Sequence, residues 1–166
     1  MKTIHLIRHA KSSWKNATLT DHQRPLNKRG KDACYLMAKR IFEHGCHFDH
    51  VYASTAVRAQ QTIAKLLEQL TLDSPWQSDE ALYTFDVNEL FGWLCQRSED
   101  HASVVIIAHN PAMLALVNLL GDQEILHLPT CSYVQLATNV PNWQALKKRC
   151  AETVVFCYPK MFLNTK

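Results

Sequence analysis

Apolar and polar positions along this chain fall into blocks that switch between two periods, and the order of the blocks predicts an architecture. Thr3 to Ile7 is apolar at strand length and delivers Arg8 and His9 where a polar stretch, His9 to Pro25, begins. That stretch has no helical period and is long for a simple connection, as functional loops often are. Asn27 then reads as an N-cap, and Ala33, Leu36, Met37, Arg40 and Ile41 recur at helical spacing until Gly45 stops the run. Asp49 to Ala53 predicts a short strand, followed by a helix capped by Ser54 or Thr55 and carrying Val57, Ile63, Ala64, Leu66, Leu67 and Leu70. Asp73 to Glu80 holds Pro75 and predicts a loop with a short extended piece at Trp76, after which Asp86 or Asn88 opens a helix through Leu90, Trp93 and Leu94.

Ser103 to Ala108 is almost wholly apolar and rich in β-branched residues, the pattern of a strand covered on both faces. Pro111 starts a helix through Leu120, and Gly121 ends it. Val134 to Ala137 and Thr153 to Cys157 flank a Pro141-Asn142-Trp143 turn, as a closing hairpin would. Strands alternating with helices predict an α/β fold, a three-layer α/β/α sandwich with a mostly parallel central sheet and an antiparallel edge. Residues 1–166 fit a single domain.

An open α/β sheet binds ligands at the carboxyl ends of its strands. Arg8 and His9 end the first strand, His109 ends the buried one, and Arg58 lies near the start of a helix, so these four predict a cationic pocket suited to a phosphoryl group. His9 is the candidate nucleophile, because a neutral imidazole nitrogen attacks phosphorus and forms a phosphohistidine that water later hydrolyses. Flanking guanidiniums are expected to keep the ring neutral by like-charge repulsion. Arg8 and Arg58 each offer a planar fork for two phosphate oxygens. His109 is expected to donate a hydrogen bond to a nonbridging oxygen. Asn110, with the amides of the helix that follows, is a candidate anion contact, and Ser54 is either a substrate contact or an N-cap.

The motifs Leu-Ile-Arg8-His9-Ala10-Lys, Ser54-x-x-x-Arg58-x-x-Gln61-Thr62 and Ile-Ala-His109-Asn-Pro together resemble the histidine phosphatase superfamily, which has a phosphoglycerate mutase-like fold. The segment Asp21-x-x-Arg24-Pro25-Leu26-Asn-Lys-Arg-Gly30 is similar to that of the SixA-type phosphohistidine phosphatases. The resemblance covers residues 4 to 120 and implies that Arg8, His9, Arg58 and His109 form the phosphate pocket, with His9 phosphorylated. It leaves Arg24 as a further anion contact or a loop anchor. Ala10 stands where the family most often has glycine, and a small shift of loop geometry is the expected cost. Many relatives use a carboxylic acid to protonate an alkoxide leaving group; here Asp21 is the first candidate and Glu80 the second. About thirty residues separate the Arg58 helix from the strand leading to His109, too few for a large lid insertion. A weak acid site and an open pocket both favour a phosphorylated protein, in particular a phosphohistidine, over a small phosphorylated metabolite.

Composition narrows the alternatives. Hydrophobic residues make up 47% and charged residues 20% of the chain, with a formal net charge of +3 and no clustered Lys/Arg stripe, so no nucleic-acid partner is expected. No apolar run approaches membrane-span length, and the N-terminus enters a strand at once, so no membrane partner and a cytoplasmic location are expected. Six scattered cysteines form no CxxC pair and are read as free thiols. His44, His47 and His50 surround Cys46, but their spacing crosses Gly45 and does not suit a zinc site. No metal and no cofactor are expected. A noncatalytic phosphate-binding module is the alternative of a different class, and the presence of all four core residues speaks against it.

Overall fold

The computed structural model describes residues 1–163. In chain order it contains β1 (Lys2–Arg8), α1 (Lys28–Glu43), β2 (Val51–Ser54), α2 (Val57–Leu70), β3 (Trp76–Asp79), α3 (Val87–Cys95), β4 (Ser103–Ala108), α4 (Ala112–Leu120), β5 (Tyr133–Thr138) and β6 (Ala151–Cys157). The six strands form one sheet in the order β3-β2-β4-β1-β5-β6. The first four run parallel, whereas β5 is antiparallel to β1 and β6 to β5. The predicted α/β/α sandwich is therefore present, including its antiparallel edge.

Burial along β4 explains the layering. Val104 and Ile106 face the cluster formed with Leu90, Trp93, Leu116 and Leu120 of α3 and α4, while Val105 and Ile107 face Met37, Ile41, Ile63 and Leu66 of α1 and α2. All four strand residues are fully buried. Each such side chain contributes about 1.5–3 kcal/mol of hydrophobic stabilisation, so a polar residue anywhere in this run would break the sandwich.

Helix termini follow the sequence with one exception. The Asn27 side chain accepts from Gly30 N at 2.8 Å, and Asp86 accepts from the amides of Asn88 and Glu89. Gly45, at φ 94°, ends α1 in a conformation only glycine adopts freely. Neither Ser54 nor Thr55 caps α2, which starts after Ala56 without a side-chain cap. Ser54 is the last residue of β2 and its hydroxyl accepts from Ala56 N at 3.1 Å. The strand also begins two residues later than expected, because His50 turns the chain at φ 51°.

Candidate active site

Arg8 pairs with Ala108 and Ala53 with Ile107, so β1, β2 and β4 end level with one another. His9, Ser54 and His109 therefore emerge at one sheet edge, and the first turn of α2 brings Arg58 to the same place. Arg8, His9, Arg58 and His109 all line one cavity of about 280 Å³. The pocket assembled from separated motifs in the sequence is thus a single space in the fold.

His9 is buried, and its Nδ1 lies 2.8 Å from the carbonyl oxygen of Ala10. A carbonyl can only accept, so this contact puts the ring proton on Nδ1 and leaves the lone pair on Nε2. Arg58 Nε donates to that nitrogen at 3.4 Å. The pKa of the ring is lowered to about 4, first because burial strips water from the charged form; the Ala10 carbonyl opposes this, and Arg58, Arg8 and Arg24 add repulsion. The lowered pKa favours the neutral ring expected from the sequence, with desolvation leading and like-charge repulsion following.

His109 is buried beside it, ring centroids 5.0 Å apart. Its Nδ1 faces Arg58 Nη2 at 3.2 Å and its Nε2 faces Ser54 Oγ at 2.8 Å. Since a guanidinium only donates, Nδ1 here accepts and Nε2 carries the proton toward Ser54. Donation to a phosphoryl oxygen requires the other tautomer, which the Ser54 hydroxyl permits by turning from acceptor to donor. Burial, then His9 and Arg58, lower the pKa of His109 to about 3, with Asp21 opposing. Ser54 is consequently a partner of His109.

Arg8 donates through Nη1 to Leu128 O at 2.8 Å, while its buried Nε has no protein partner among the described residues. An unsatisfied buried donor costs about 1–3 kcal/mol, and an anion seated in the cavity would remove that cost. Arg58 donates to Asp21 twice, from Nη1 to the carbonyl at 2.7 Å and from Nη2 to the carboxylate at 3.0 Å.

Contacts around the cavity decide between the expectations for the loop residues. Asp21 was the first candidate for a proton donor, yet its carboxylate is held by Arg24, Arg58 and the Tyr83 hydroxyl at 3.0, 3.0 and 2.6 Å. Burial pushes its pKa up, but these donors outweigh it and bring the value down to about 2. Such a group stays ionised and has no proton to give. Glu80 is exposed and does not line the cavity. Arg24 lines the cavity but spends Nε on Ser13 O, Nη1 on Asp21 and Nη2 on the Ser12 hydroxyl, so it anchors the long loop. Asn110 lines the cavity, with one amide hydrogen donated to Leu128 O and its oxygen accepting from Leu114 N, which leaves its second amide hydrogen for an anion. Ala10 does not adopt a positive φ, so alanine carries no backbone penalty there.

Sequence reasoning also missed supporting groups. Thr62 accepts the Ala10 amide at 2.9 Å and donates to Arg58 O at 2.7 Å, tying the loop after His9 to the helix of Arg58. Its position four residues after Arg58, on the same helix face, was the available signal. Tyr83, which clamps Asp21 and packs edge-on against His109, gave no such signal. His47 packs on Phe42 and His50 stacks on His101, and among the described residues no three His, Cys, Asp or Glu gather as a metal site.

Comparison with known proteins agrees with this geometry. The model of the histidine phosphatase superfamily (branch 1) matches residues 4–94. An uncharacterized protein of Mycobacterium tuberculosis is 25% identical over 163 residues, 93% of this chain and 100% of that one. The 2,3-bisphosphoglycerate-dependent phosphoglycerate mutase of Bartonella henselae is 36% identical over 91 residues, 53% of this chain and 42% of that one. Among solved structures, a protein histidine phosphatase SixA complexed with tungstate superposes with a TM-score of 0.79 at 23% identity, over 96% of this chain and 99% of that one. A SixA of Nakamurella multipartitia, proposed to be a phosphohistidine phosphatase, gives a TM-score of 0.81 at 24% identity, over 95% of this chain and 96% of that one. The likeness in fold runs over nearly the whole sheet and its helices, and the family model takes in the Arg8-His9 and Arg58 motifs: the chain belongs to branch 1 of the histidine phosphatase superfamily.

Proposed function

We propose that this protein hydrolyses a phosphoryl group through a covalent intermediate on His9, and that its substrate is a protein phosphohistidine. The observation that carries the substrate class is Asp21. The carboxylate that contacts Arg58 is clamped ionised by two guanidiniums and a phenol, and neither Asp21 nor Glu80 lines the cavity. A site without a proton donor is poorly matched to an alkoxide, which leaves slowly unless protonated. It suits a phosphoryl group on nitrogen: a phosphohistidine ring protonated on its other nitrogen departs as neutral imidazole once the P–N bond breaks.

In this mechanism Arg58 Nε releases His9 Nε2 as the phosphoryl group enters and donates to a phosphoryl oxygen instead, while Nη1 and Nη2 stay on Asp21, and Arg8 adds its own donors. The Nε2 lone pair attacks phosphorus, forming the P–N bond to His9 as the bond to the leaving group breaks. His109, in the tautomer supported by Ser54, donates from Nδ1 to a nonbridging oxygen and offsets the charge that grows there. Water then attacks the phosphohistidine, releasing inorganic phosphate and restoring the ring. The cationic side chains neutralise the phosphoryl group by themselves, so the route needs no metal. The fold likeness to a histidine phosphatase SixA holding tungstate, an analogue of phosphate, supports the reading. All six cysteines are free, which fits the reducing cytoplasm we propose as its compartment; no helix among the described residues is long and apolar enough to cross a membrane.

The test compares a phosphohistidine protein with a panel of small phosphomonoesters, using the wild type and His9→Ala. The variant is expected to lose phosphate release while keeping its circular dichroism spectrum, and mass spectrometry of quenched wild type should find the added phosphoryl group on His9. Unchanged turnover in the variant refutes the nucleophile. A clear preference for the esters transfers the assignment to a small-metabolite phosphatase.

A further inference from the structure

Trp14 is 77% exposed, whereas Trp93 and Trp143 are buried in the core. Its ring lies over the Arg24 guanidinium, 3.2 Å from centroid to Cζ, so one face is covered by a cation and the other is open to water. Phe85 is also unusually open, at 47%, and its ring packs 5.5 Å from that of His109. Both aromatics line the same cavity as His9. Trp14 stands on its Arg24 side and Phe85 on its His109 side. His9, Arg58 and His109 are all buried, so these exposed rings belong to the mouth.

Displacement at phosphorus proceeds roughly in line, with the attacking and leaving atoms on opposite sides. With His9 at the base of the cavity, the leaving group faces the mouth and meets Trp14 and Phe85. Acidic side chains do not line that opening, and its lysine, Lys11, carries the wrong charge to favour a leaving ring that is itself protonated. Flat aromatic surfaces do favour such a ring, because they stack on planar groups whatever the charge of the ring. We infer that Trp14 and Phe85 are specificity-determining residues, forming an aromatic platform that selects a planar imidazole leaving group over an acyclic one. This rests on the phosphohistidine reading above and assigns the part of the site that recognises the ring.

Two small compounds separate ring recognition from P–N chemistry. N-phosphorylimidazole and phosphoramidate both carry phosphorus on nitrogen, but only the first has a ring. In each protein the quantity measured is the ratio of kcat/KM for N-phosphorylimidazole to kcat/KM for phosphoramidate. Trp14→Ala and Phe85→Ala should each lower this ratio about tenfold relative to wild type, and Trp14→Phe, which keeps a ring over Arg24, should lower it less than about threefold. Competitive inhibition by tungstate reads the phosphoryl cavity alone. If Trp14→Ala weakens tungstate by the same factor as it lowers kcat/KM for N-phosphorylimidazole, the indole acts only by holding Arg24, and the inference is overturned. Ratios unchanged in both alanine variants overturn it as well, while leaving the phosphohistidine reading intact. A wild type that cleaves neither compound but does cleave esters removes that reading and this inference together.

Discussion

Replacing Asp21 with asparagine separates an anchor from an acid. The change keeps the shape of the side chain and removes the charge that Arg24 and Arg58 hold at 3.0 Å each. A carboxylate depressed from 3.8 to about 2 corresponds to roughly 2.4 kcal/mol in full. The Asp21 side chain is 46% exposed, however, and solvent screening reduces this to about 1 kcal/mol. The sign follows from the direction of the shift: a lowered carboxylate stabilises the fold above its unfolded pKa and loses that contribution as pH falls toward 2. At neutral pH the variant should therefore lose about 1 kcal/mol, seen as a fall in Tm of roughly 2–4 °C in a domain of this size. Steady-state kinetics on phosphoramidate and on an alkyl phosphate supply the second measurement. An anchor predicts a loss of kcat of less than about tenfold on both, with some change in KM because Arg58 is less restrained. A general acid predicts a loss of about 10²–10⁴-fold on the ester, concentrated in kcat. A collapse of that size with an unchanged Tm would refute the argument from the ion pairs and return Asp21 to the role of proton donor.

Three further outcomes follow from the same geometry. His5, His9 and His109 have pKa values lowered by burial to about 4, about 4 and about 3; between these values and 6.5 the unfolded chain binds protons that the folded chain refuses, so stability should fall as pH drops from 6.5 toward 4. Each ring contributes up to about 1.4 kcal/mol per pH unit in that window and nothing above it, and a urea midpoint that stays flat from pH 7 to 4.5 would contradict the burial argument. Gly30→Ala would set a Cβ 2.1 Å from the carbonyl oxygen of Lys11, so the start of α1 and the loop after His9 must separate. Urea denaturation should show a loss of about 2–3 kcal/mol and the assay a lower kcat; wild-type stability would show that the contact yields cheaply. Dialysis against EDTA should leave turnover unchanged, and activity lost to the chelator but restored by a divalent cation would overturn the metal-free route.

The fold was legible because its elements announce themselves locally. A doubly buried strand reads as an unbroken apolar run, as Ser103 to Ala108 does, and the caps at Asn27 and Asp86 need only their own side chains and nearby amides. The sheet edge that gathers Arg8, His9 and His109 was legible for the same reason, since each residue sits where an apolar strand meets a loop. What the sequence concealed was how each polar group spends its hydrogen bonds. Nothing local distinguishes a Ser54 that caps a helix from one that serves His109, or an Arg24 that binds an anion from one whose every nitrogen is committed to its own loop.

Asp21 is the sharpest case. A carboxylate in a long polar loop can be an acid, a solvated charge or an anchor, and the difference lies in Arg58 and Tyr83, 37 and 62 residues away. Once those contacts are known, the chemistry turns: the group that would have protonated an alkoxide instead fixes the guanidinium that faces the phosphoryl group. Trp14 shows the converse. Its type predicts a core position, and only its place above Arg24, with one face left wet at the mouth of the cavity, marks it as a surface for the leaving group. A site that holds Asp21 as an anion and lines its mouth with aromatic rings is suited to a leaving group that is planar and arrives already protonated.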